Sequence, residues 1–312
     1  MKKHTEVRKY LLTAALLLVT TACLFAADGP EVEKTKTYSK SYPLGTNEKV
    51  SINNQFGEVK INTWGKSEVK VDVTITIKSS NEDRAQSILD NINIEDSKSG
   101  DGVSFKTNIG KQEGKGDKKD HNGNQSMAIN YDVSMPAANP FVLQNSFGKS
   151  FVPDMSGPVE ITQKFGDLVA GNLPNIKDLH VEFGSAVVES IGSCKLVIKF
   201  SKAEIKKMTG AIIGNFEFCD KVKLSLDNNV TDFNLNNSYS KIEIAVAGGF
   251  GGDFEVHTSF GEFKNSSSLS LKEEKDDDEN RGPHFDKDYN GKTGNGACKV
   301  KIKSSFGTIK LI

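Results

Sequence analysis

An aromatic residue followed by a small residue recurs along this chain, and this repeat constrains the fold more than any other feature. Between Phe147 and Phe260 the successive spacings run from 17 to 21 residues. The aromatic positions, which we call the anchors, are Phe56, Phe147, Phe165, Phe183, Phe200, Phe218, Tyr239, Phe260 and Phe306. The residues after them are Gly57, Gly148, Gly166, Gly184, Ser201, Cys219, Ser240, Gly261 and Gly307.

Apolar residues alternate with polar ones on both sides of an anchor, and the phase of the alternation changes there. Around Phe56, Val50 and Ile52 lie six and four positions before, whereas Val59 and Ile61 lie three and five positions after. Alternation with period two is a strand signal. A phase change at a small residue indicates a bulge or tight corner, which glycine tolerates. Each unit is therefore predicted to be strand, inward-pointing aromatic residue, corner and strand.

The regular spacing predicts an all-β fold: an elongated β-solenoid or β-helix-like repeat domain with one short helix near the N-terminus. Repeats of this length bury each coil only against its neighbours. Stacked coils would form a ladder of inward aromatic side chains, each contributing roughly 1.5–3 kcal/mol on burial. After Phe218 the apolar residues Val222 and Leu224 lie one position late, which indicates a local bulge.

Residues 1–26 are typical of a signal peptide. An apolar run at 11–19 precedes a small-residue cleavage site ending at Ala26, and basic residues come first, at Lys2, Lys3, Arg8 and Lys9. The run is short for a spanning helix, which needs about 20 residues. Export to the periplasm or cell surface is expected, with a retained anchor or a lipid anchor at Cys23 left as alternatives.

Residues 27–312 are predicted to form a single β-repeat domain. Its N-terminal part, 27–140, contains a short helix at 81–92, with a capping-box spacing that starts at Ser80. The polar, Gly-rich stretch 109–126 is predicted to be a mobile loop.

The Phe-Gly coils are predicted to occupy residues 141–312. Residues 264–297 interrupt them and are Ser-rich, then acidic, then Gly-rich. We interpret this acidic excursion as an insertion into one coil, because the last copy of the repeat follows it.

The charge of the chain excludes one class of partner. The formal net charge is −1, and removal of the signal peptide would leave about −4. A nucleic-acid partner would need a basic stripe. No nucleic-acid partner is expected, and no transmembrane segment is predicted in the mature chain.

The cysteines and histidines are interpreted as structural or solvated side chains. Cys194, Cys219 and Cys298 would remain after export, and an odd number leaves at least one unpaired. Cys194 and Cys219 fit buried small positions, with a bridge between them as an alternative. His180 and His257 fall on the outward side of their strands, and no histidine spacing matches a zinc site.

A short acidic motif is a candidate calcium site. Asp286, Asp288 and Asn290 precede Gly291 in the D-x-D-x-N-G order that opens a calcium-binding loop. The twelfth position is Ala297, where an EF-hand needs a glutamate. Calcium is therefore a candidate cofactor, and no other cofactor is predicted.

No set of residues indicates a catalytic site. Lyases on β-helices usually need an Arg or Lys base. The mature chain has only two arginines, Arg84 and Arg281. Glu58, Asp167 and Asp220 follow their anchors at outward positions that are ordinary surface. A non-enzyme is expected; a carbohydrate-active enzyme on a β-helix and a calcium-stabilised structural module are the alternatives.

The segment from Asn54 to Trp64, the alternating strand at 68–78, the helix at 81–92 and the Phe-Gly coils resemble the putative-adhesin family. This is a family of exported bacterial β-strand-repeat proteins, common in Bacteroidota and mostly of unknown function. The resemblance implies a β-solenoid-like fold and an adhesive or scaffolding role in the cell envelope. The expected partner is a glycan or a protein, bound through outward strand faces or loops.

Overall fold

The computed structural model describes residues 32–110, 125–274 and 285–312. The predicted signal peptide with Cys23, residues 111–124 of the predicted loop and residues 275–284 of the acidic excursion lie outside the described residues. Within them, the all-β prediction is confirmed: 23 strands form one continuous sheet, with one short helix near the N-terminus. The β-solenoid description stays a prediction.

The elements have the following bounds. The N-terminal part contains β1 (Val32–Pro43), β2 (Lys49–Gln55), β3 (Val59–Thr63), β4 (Glu68–Ser79), α1 (Glu82–Asp90), β5 (Ile92–Ser99), β6 (Gly102–Ile109) and β7 (Gln125–Met135). The central coils contain β8 (Phe141–Ser146), β9 (Ser150–Val152), β10 (Val159–Lys164), β11 (Asp167–Leu173), β12 (Ile176–Glu182), β13 (Ser185–Ile191), β14 (Cys194–Lys199), β15 (Lys202–Glu217), β16 (Lys221–Ser238) and β17 (Lys241–Val246). The C-terminal part contains β18 (Gly252–Ser259), β19 (Glu262–Asn265), β20 (Lys272–Glu273), β21 (Asp286–Lys292), β22 (Cys298–Ser305) and β23 (Thr308–Leu311).

Two parallel ladders run along the molecule and meet at the anchors. Strands that precede an anchor pair with one another, as β8, β10, β12 and β14 do. Strands that follow an anchor pair likewise, as β9, β11 and β13 do. The long strands β15 and β16 contribute to both ladders. Each anchor is thus the corner at which the chain passes from one ladder to the other.

The core lies between the two ladders, as the alternation predicts. The apolar residues six and four positions before the anchors and three and five positions after them are buried, except for Phe263, which is partly buried. In the coil of Phe165, for example, Val159, Ile161, Leu168 and Ala170 are at most 2% exposed. The predicted phase of these strands is therefore correct.

The predicted direction of the anchors is wrong. Their side chains form a ladder, but it lies on the outer surface, and Phe183 is 43% exposed. All nine anchors have a positive φ, between 49° and 63°. A left-handed residue in an extended strand reverses the direction of its side chain. The ring of each anchor therefore points outward, although its position in the strand has the parity of the buried residues. The unusual backbone lies at the anchor and not at the glycine that follows.

The small residue after each anchor is required by close packing of successive coils. A Cβ atom on Gly166 would lie 1.8 Å from the carbonyl oxygen of Gly148, the same position one coil earlier. A Cβ on Gly184 would lie 1.9 Å from the carbonyl oxygen of Gly166. Glycine is therefore needed here for space.

The exceptions to glycine use their side chains to bond the corners. Ser201 Oγ donates to Lys199 O at 2.6 Å and accepts from the amide of Gly184 at 3.1 Å. Ser240 Oγ accepts from the amide of Cys219 at 3.0 Å. Neighbouring corners are thus joined by side chains where they are not packed backbone to backbone.

Buried amide side chains satisfy other corner carbonyls from inside. Asn145 Nδ2 donates to Gly57 O at 3.2 Å, and Gln163 Nε2 donates to Gly148 O at 2.7 Å. Asn145 and Gln163 lie two residues before their anchors and are fully buried. A buried carbonyl without a partner costs about 1–3 kcal/mol, which explains polar groups in an otherwise apolar core.

The last coil is inserted out of sequence order. Strand β22 lies between β16 and β18, and β23 lies between β17 and β19. In β22, Lys299 pairs in register with Asp232 on one side and Asp253 on the other. Lys301 Nζ lies 2.8 Å from Glu255 Oε2. The insertion therefore places lysines of β22 beside carboxylates of both neighbouring strands.

The N-terminal end is closed by the helix and by a tyrosine–carboxylate cluster. Helix α1 begins after Asn81, whose side chain accepts from the amide of Arg84, so the cap is one residue later than Ser80. Tyr38 and Tyr42 donate hydrogen bonds to the carboxylate of Asp96. These bonds, the one from Tyr38 first, hold the pKa of Asp96 below its usual value.

Substitution of a corner glycine should separate two coils. We expect Gly166→Ala to lower the free energy of unfolding by about 3 kcal/mol, because its Cβ meets backbone and cannot be accommodated by a side-chain shift. Gly65→Ala is the matched control, since no atom lies within 4 Å of its Cβ. Chemical denaturation of both variants tests this, and equal midpoints would contradict it.

Removal of an anchor ring should cost less than removal of a core side chain. We expect Phe183→Ala to cost about 1–2 kcal/mol, from two ring contacts and a half-exposed surface. Leu179→Ala in the same coil should cost about 2–5 kcal/mol, because Leu179 is fully buried. Phe183→Gly should be no less stable than Phe183→Ala, since glycine adopts positive φ freely. Equal losses of stability in Phe183→Ala and Leu179→Ala would instead indicate that the Phe183 ring points into the core.

Candidate interaction surface

Ten aromatic rings stack in one column along the corner between the ladders. We call this the aromatic column. Its members, in spatial order, are Phe56, Phe147, Phe165, Phe183, Phe200, Phe218, Tyr239, Phe306, Phe260 and Phe285. Phe306 lies between Tyr239 and Phe260 because the last coil is inserted there. Phe285, which is not an anchor, ends the column.

The spacing of the column is regular. Neighbouring ring centroids are 4.7–5.1 Å apart, and the planes of neighbouring anchor rings differ by 3–8°. The strand spacing of about 4.7–4.9 Å sets this repeat, and nine such steps make a column roughly 43 Å long.

The column is an exposed apolar surface of unusual size. Nine of its residues are 43–54% exposed, and Phe56 is half-buried. At about 200 Å² per aromatic residue, these nine expose roughly 900 Å². The largest apolar patch of a typical soluble monomer is about 300–600 Å², and larger patches mark interaction sites. The column is therefore the candidate functional site.

Stacking determines which part of each ring a partner can reach. The two faces of an internal ring such as Phe200 are covered by its neighbours Phe183 and Phe218. Only ring edges point outward, and the edge of an aromatic ring carries the positive part of its quadrupole. Sugars pack on ring faces, so this arrangement favours protein surface over glycan.

Polar residues border the column on both sides. The leading rim consists of the residues directly before the anchors: Gln55, Ser146, Lys164, Glu182, Lys199, Glu217, Ser238, Ser259 and Ser305. The trailing rim consists of the residues two positions after them: Glu58, Lys149, Asp167, Ser185, Lys202, Asp220, Lys241, Glu262 and Thr308. The two rims together carry five lysines and six carboxylates, so the border is nearly neutral.

Ion pairs join adjacent residues of the leading rim. Lys164 Nζ lies 3.0 Å from Glu182 Oε2, and Lys199 Nζ lies 2.9 Å from Glu217 Oε1. These pairs are partly exposed, so each contributes at most about 1 kcal/mol to stability. They leave alternating charges beside the middle of the column.

A groove follows the trailing side of the column at its centre. It has a volume of about 560 Å³ and is lined by Asp167, Gly184, Ser185, Phe200, Ser201, Lys202, Phe218 and Asp220. The small corner residues form its floor, which the rings and the trailing rim enclose. Asp167 and Asp220, assigned to ordinary surface from the sequence, therefore lie beside the candidate site.

His180 lies three residues before an anchor, on the outer face of β12. Its Nε2 has no hydrogen-bond partner among the described residues, and Glu182 Oε2 lies 3.7 Å away. Desolvation lowers the pKa of His180, and the nearby Glu182 opposes this effect. The ring is consequently held neutral more strongly than a free histidine.

The lowered pKa of His180 predicts a pH-dependent stability. The unfolded chain binds the proton more readily, so stability should fall as pH drops below about 6.5, the ordinary histidine value. Thr162 is the residue that pairs with His180 in the adjacent coil, so His180→Thr introduces a side chain that this position already accepts. The variant should lose less stability between pH 7.5 and 5. Thermal unfolding at several pH values measures this. Equal pH slopes for the two proteins would contradict it.

The structure places the three predicted calcium ligands along a strand. Asp286, Asp288 and Asn290 lie on β21, which pairs antiparallel with β18. Each is bonded to another side chain: Ser259 Oγ donates to Asp286, His257 Nδ1 lies 2.8 Å from Asp288 Oδ1, and Asn290 donates to Glu274. Over residues 32–110, 125–274 and 285–312, no group of three or more His, Cys, Asp or Glu could hold a metal ion. Calcium binding stays a prediction.

A second groove brings three carboxylates together near the C-terminal end. It measures about 290 Å³ and is lined in part by Glu255, Glu274 and Asp288, with His257 between them. Lys301 lies 2.8 Å from Glu255 and lowers the pKa of that carboxyl. A glycosidase needs a general acid whose pKa is raised, so the environment of Glu255 does not suit this role.

The described cysteines are free and buried. Burial raises the pKa of the Cys194 thiol to about 12 and that of Cys298 to about 11, and it also raises the pKa of Cys219. A thiol with a raised pKa is a poor nucleophile. Their interpretation as buried small side chains agrees with the structure.

Sequence reasoning missed the site although it found its members. The sequence pattern identifies the anchors but assigns them to the core, because they share the parity of buried residues. Phe285 has no small residue after it and belongs to no repeat copy, so no pattern indicated that it ends the column. In the part of the chain that the structure describes, no helix is long and apolar enough to cross a membrane.

No protein-family model matches the chain, and no curated protein matches it. Among solved structures, it is similar to a putative cell adhesion protein from Clostridium sporogenes, with 11% identity, a TM-score of 0.24 and coverage of 89% of this chain and 99% of that one. A putative adhesin from Bacteroides fragilis has 13% identity, a TM-score of 0.35 and coverage of 89% and 97%. A putative lipid binding protein from Parabacteroides distasonis has 11% identity, a TM-score of 0.27 and coverage of 88% and 96%. The resemblance to putative adhesins that the sequence indicates is thus found again among solved structures, at scores that carry no argument about site or partner.

Proposed function

We propose that this chain is a non-enzymatic protein of the cell envelope, adhesin-like or scaffolding, that binds a protein partner through the aromatic column. The observation that carries the proposal is the column itself: ten stacked rings in one continuous strip, nine of them about half exposed. Its N-terminal sequence supports export to the periplasm or cell surface, with a lipid anchor at Cys23 as an alternative.

The backbone at the anchors supports a role for the rings beyond stability. A left-handed residue other than glycine costs about 1–2 kcal/mol, and glycine or asparagine fits such a corner better than phenylalanine. Nine bulky residues nevertheless occupy this conformation. Stacking offsets part of the cost, but it leaves the outer half of each ring in water. A binding surface accounts for that exposed half.

On this proposal the coils form a β-solenoid whose regular stacking serves to align the rings. The interior fixes the spacing, and the outer corner presents the binding residues at that spacing. A carbohydrate-active enzyme is the alternative, and its site would have to lie in the groove of Glu255, Glu274 and Asp288.

Replacement of column rings by asparagine should abolish binding without unfolding the chain. Phe165→Asn, Phe183→Asn and Phe200→Asn, combined in one variant, keep a residue that tolerates positive φ. Wild-type protein attached to beads as separate chains should retain solubilised envelope protein, native copies of this chain included, but not purified envelope polysaccharide, and the triple variant should retain at least tenfold less. Ile213→Asn is the matched control, because Ile213 is 52% exposed and lies outside the column.

Two results of this experiment would overturn the proposal. One is equal retention of envelope protein by the wild type and the triple variant. The other is retention of polysaccharide alone, which would assign a glycan as the partner.

A further inference from the structure

We infer that the partner bound by the aromatic column is a second copy of this chain, antiparallel to the first about a two-fold axis between Phe200 and Phe218. The inference rests on the proposed function in taking the column as a protein-binding surface. It adds the identity of the partner, the orientation and the register.

The period of the column restricts its partners. Rings repeat every 4.7–5.1 Å over ten positions, with neighbouring planes within 15° of parallel. A rigid partner can contact all ten positions only if its own features repeat at the same distance. That distance is the spacing of hydrogen-bonded strands, so the partner is itself a stack of strands. A second copy has this period and an identical apolar strip.

The size of the column matches a stable dimer. The exposed aromatic residues supply roughly 900 Å² on each copy, and a standard protein interface buries about 800 Å² per partner. Most homodimers use one patch twice about a two-fold axis, which requires that the patch be complementary to itself.

The leading rim has this self-complementarity. A two-fold axis that lies in the contact plane, perpendicular to the column, brings leading rim against leading rim with the columns reversed. When the axis passes between Phe200 and Phe218, all ten rings face the ten rings of the second copy. Lys199 then faces Glu217 of the second copy, and Glu217 faces its Lys199.

The trailing rim agrees with the same register. Lys202 faces Asp220 of the second copy, which lines the groove beside the rings, whereas Lys221 is the residue in ladder register with Lys202. Lys149 faces Glu262. At the eight inner rings, every other charged residue of either rim faces a serine or threonine. The leading-rim pair Lys199–Glu217 and the trailing-rim pair Lys149–Glu262 are therefore complementary in the register that overlaps the full column.

Other arrangements bring like charges together. A shift by one ring in one direction places Glu182 against Glu217 and Lys199 against its own copy. Parallel columns about an axis along the strip would place leading rim against trailing rim, with Lys199 against Lys202. Like charges in contact disfavour these arrangements. A shift by two rings pairs Lys164 with Glu217 and Glu182 with Lys199 on the leading rim, but it overlaps only eight rings. Overlap of all ten rings, together with the opposite charges, therefore favours the antiparallel register about the axis between Phe200 and Phe218.

The balance of the rims also distinguishes a second copy from a lipid surface. Five lysines and six carboxylates border the column. Attraction to an anionic membrane needs an excess of basic residues. Alternating charges instead suit a partner that presents the same alternation in reverse.

Mixing of two charge variants tests the inference. The full 312-residue chain is expressed, and its mass is measured by sedimentation at micromolar concentration. The wild type should be a dimer. Lys199→Glu and Glu217→Lys each place like charges across the axis and should each weaken dimerisation roughly tenfold or more.

An equimolar mixture of the two variants should form a heterodimer. The carboxylate introduced at position 199 of one chain then meets the ammonium introduced at position 217 of the other, and the unchanged Glu217 of the first meets the unchanged Lys199 of the second. Neither protein retains the 2.9 Å ion pair within its own chain, so recovery of the dimer reports contact between chains.

Ring substitutions supply the second arm. Phe200→Asn with Phe218→Asn should leave a folded monomer, and Ile213→Asn should leave the dimer intact. A monomeric wild type, a dimer that the Asn pair does not weaken, or variants whose mixture stays monomeric would each overturn the inference. A monomer that still loses envelope-protein binding when its rings are removed would overturn the second copy as partner and leave the proposed function standing.

Discussion

The left-handed backbone at the anchors is the constraint on which the rest of this structure depends. One residue with positive φ per coil turns the chain from one ladder to the other and points its side chain outward. The next coil repeats the turn at the strand spacing, so the rings must stack. The glycine after the anchor and the buried amides before it follow from the same corner, since they provide its space and its hydrogen bonds.

Alternation predicted the core almost completely, because burial of apolar side chains between the ladders depends on strand parity alone. Val159 and Ile161 before Phe165, and Leu168 and Ala170 after it, are buried as expected. Parity could not give the direction of Phe165 itself. A sequence shows that the phase changes near a corner but not which residue carries the unusual φ, and glycine is the ordinary choice. The sequence pattern therefore places the anchor rings in the core and does not indicate the exposed column.

The position of the last coil also lies beyond what the repeat can predict. Copies of one motif have nearly equal strand pairing, so order along the chain is the natural expectation for stacking. Side-chain charge decides otherwise here: Lys299 and Lys301 of β22 lie beside Asp232, Asp253 and Glu255 of its two neighbours. Direct contact of β18 with β16 in the same register would have placed Asp253 next to Asp232.

Exposed aromatic rings can bind apolar surfaces without specificity, and stacking in the column limits this binding. An isolated ring offers two faces to any apolar or cationic partner, whereas a stacked ring offers only its edge. The column therefore has little affinity per ring and gains strength only when many rings are engaged in register. The alternating charges of the leading rim penalise a shift of the register by one ring. In the inferred dimer, the column therefore binds a partner with the same ring spacing and the reversed order of charge, and not apolar surfaces in general.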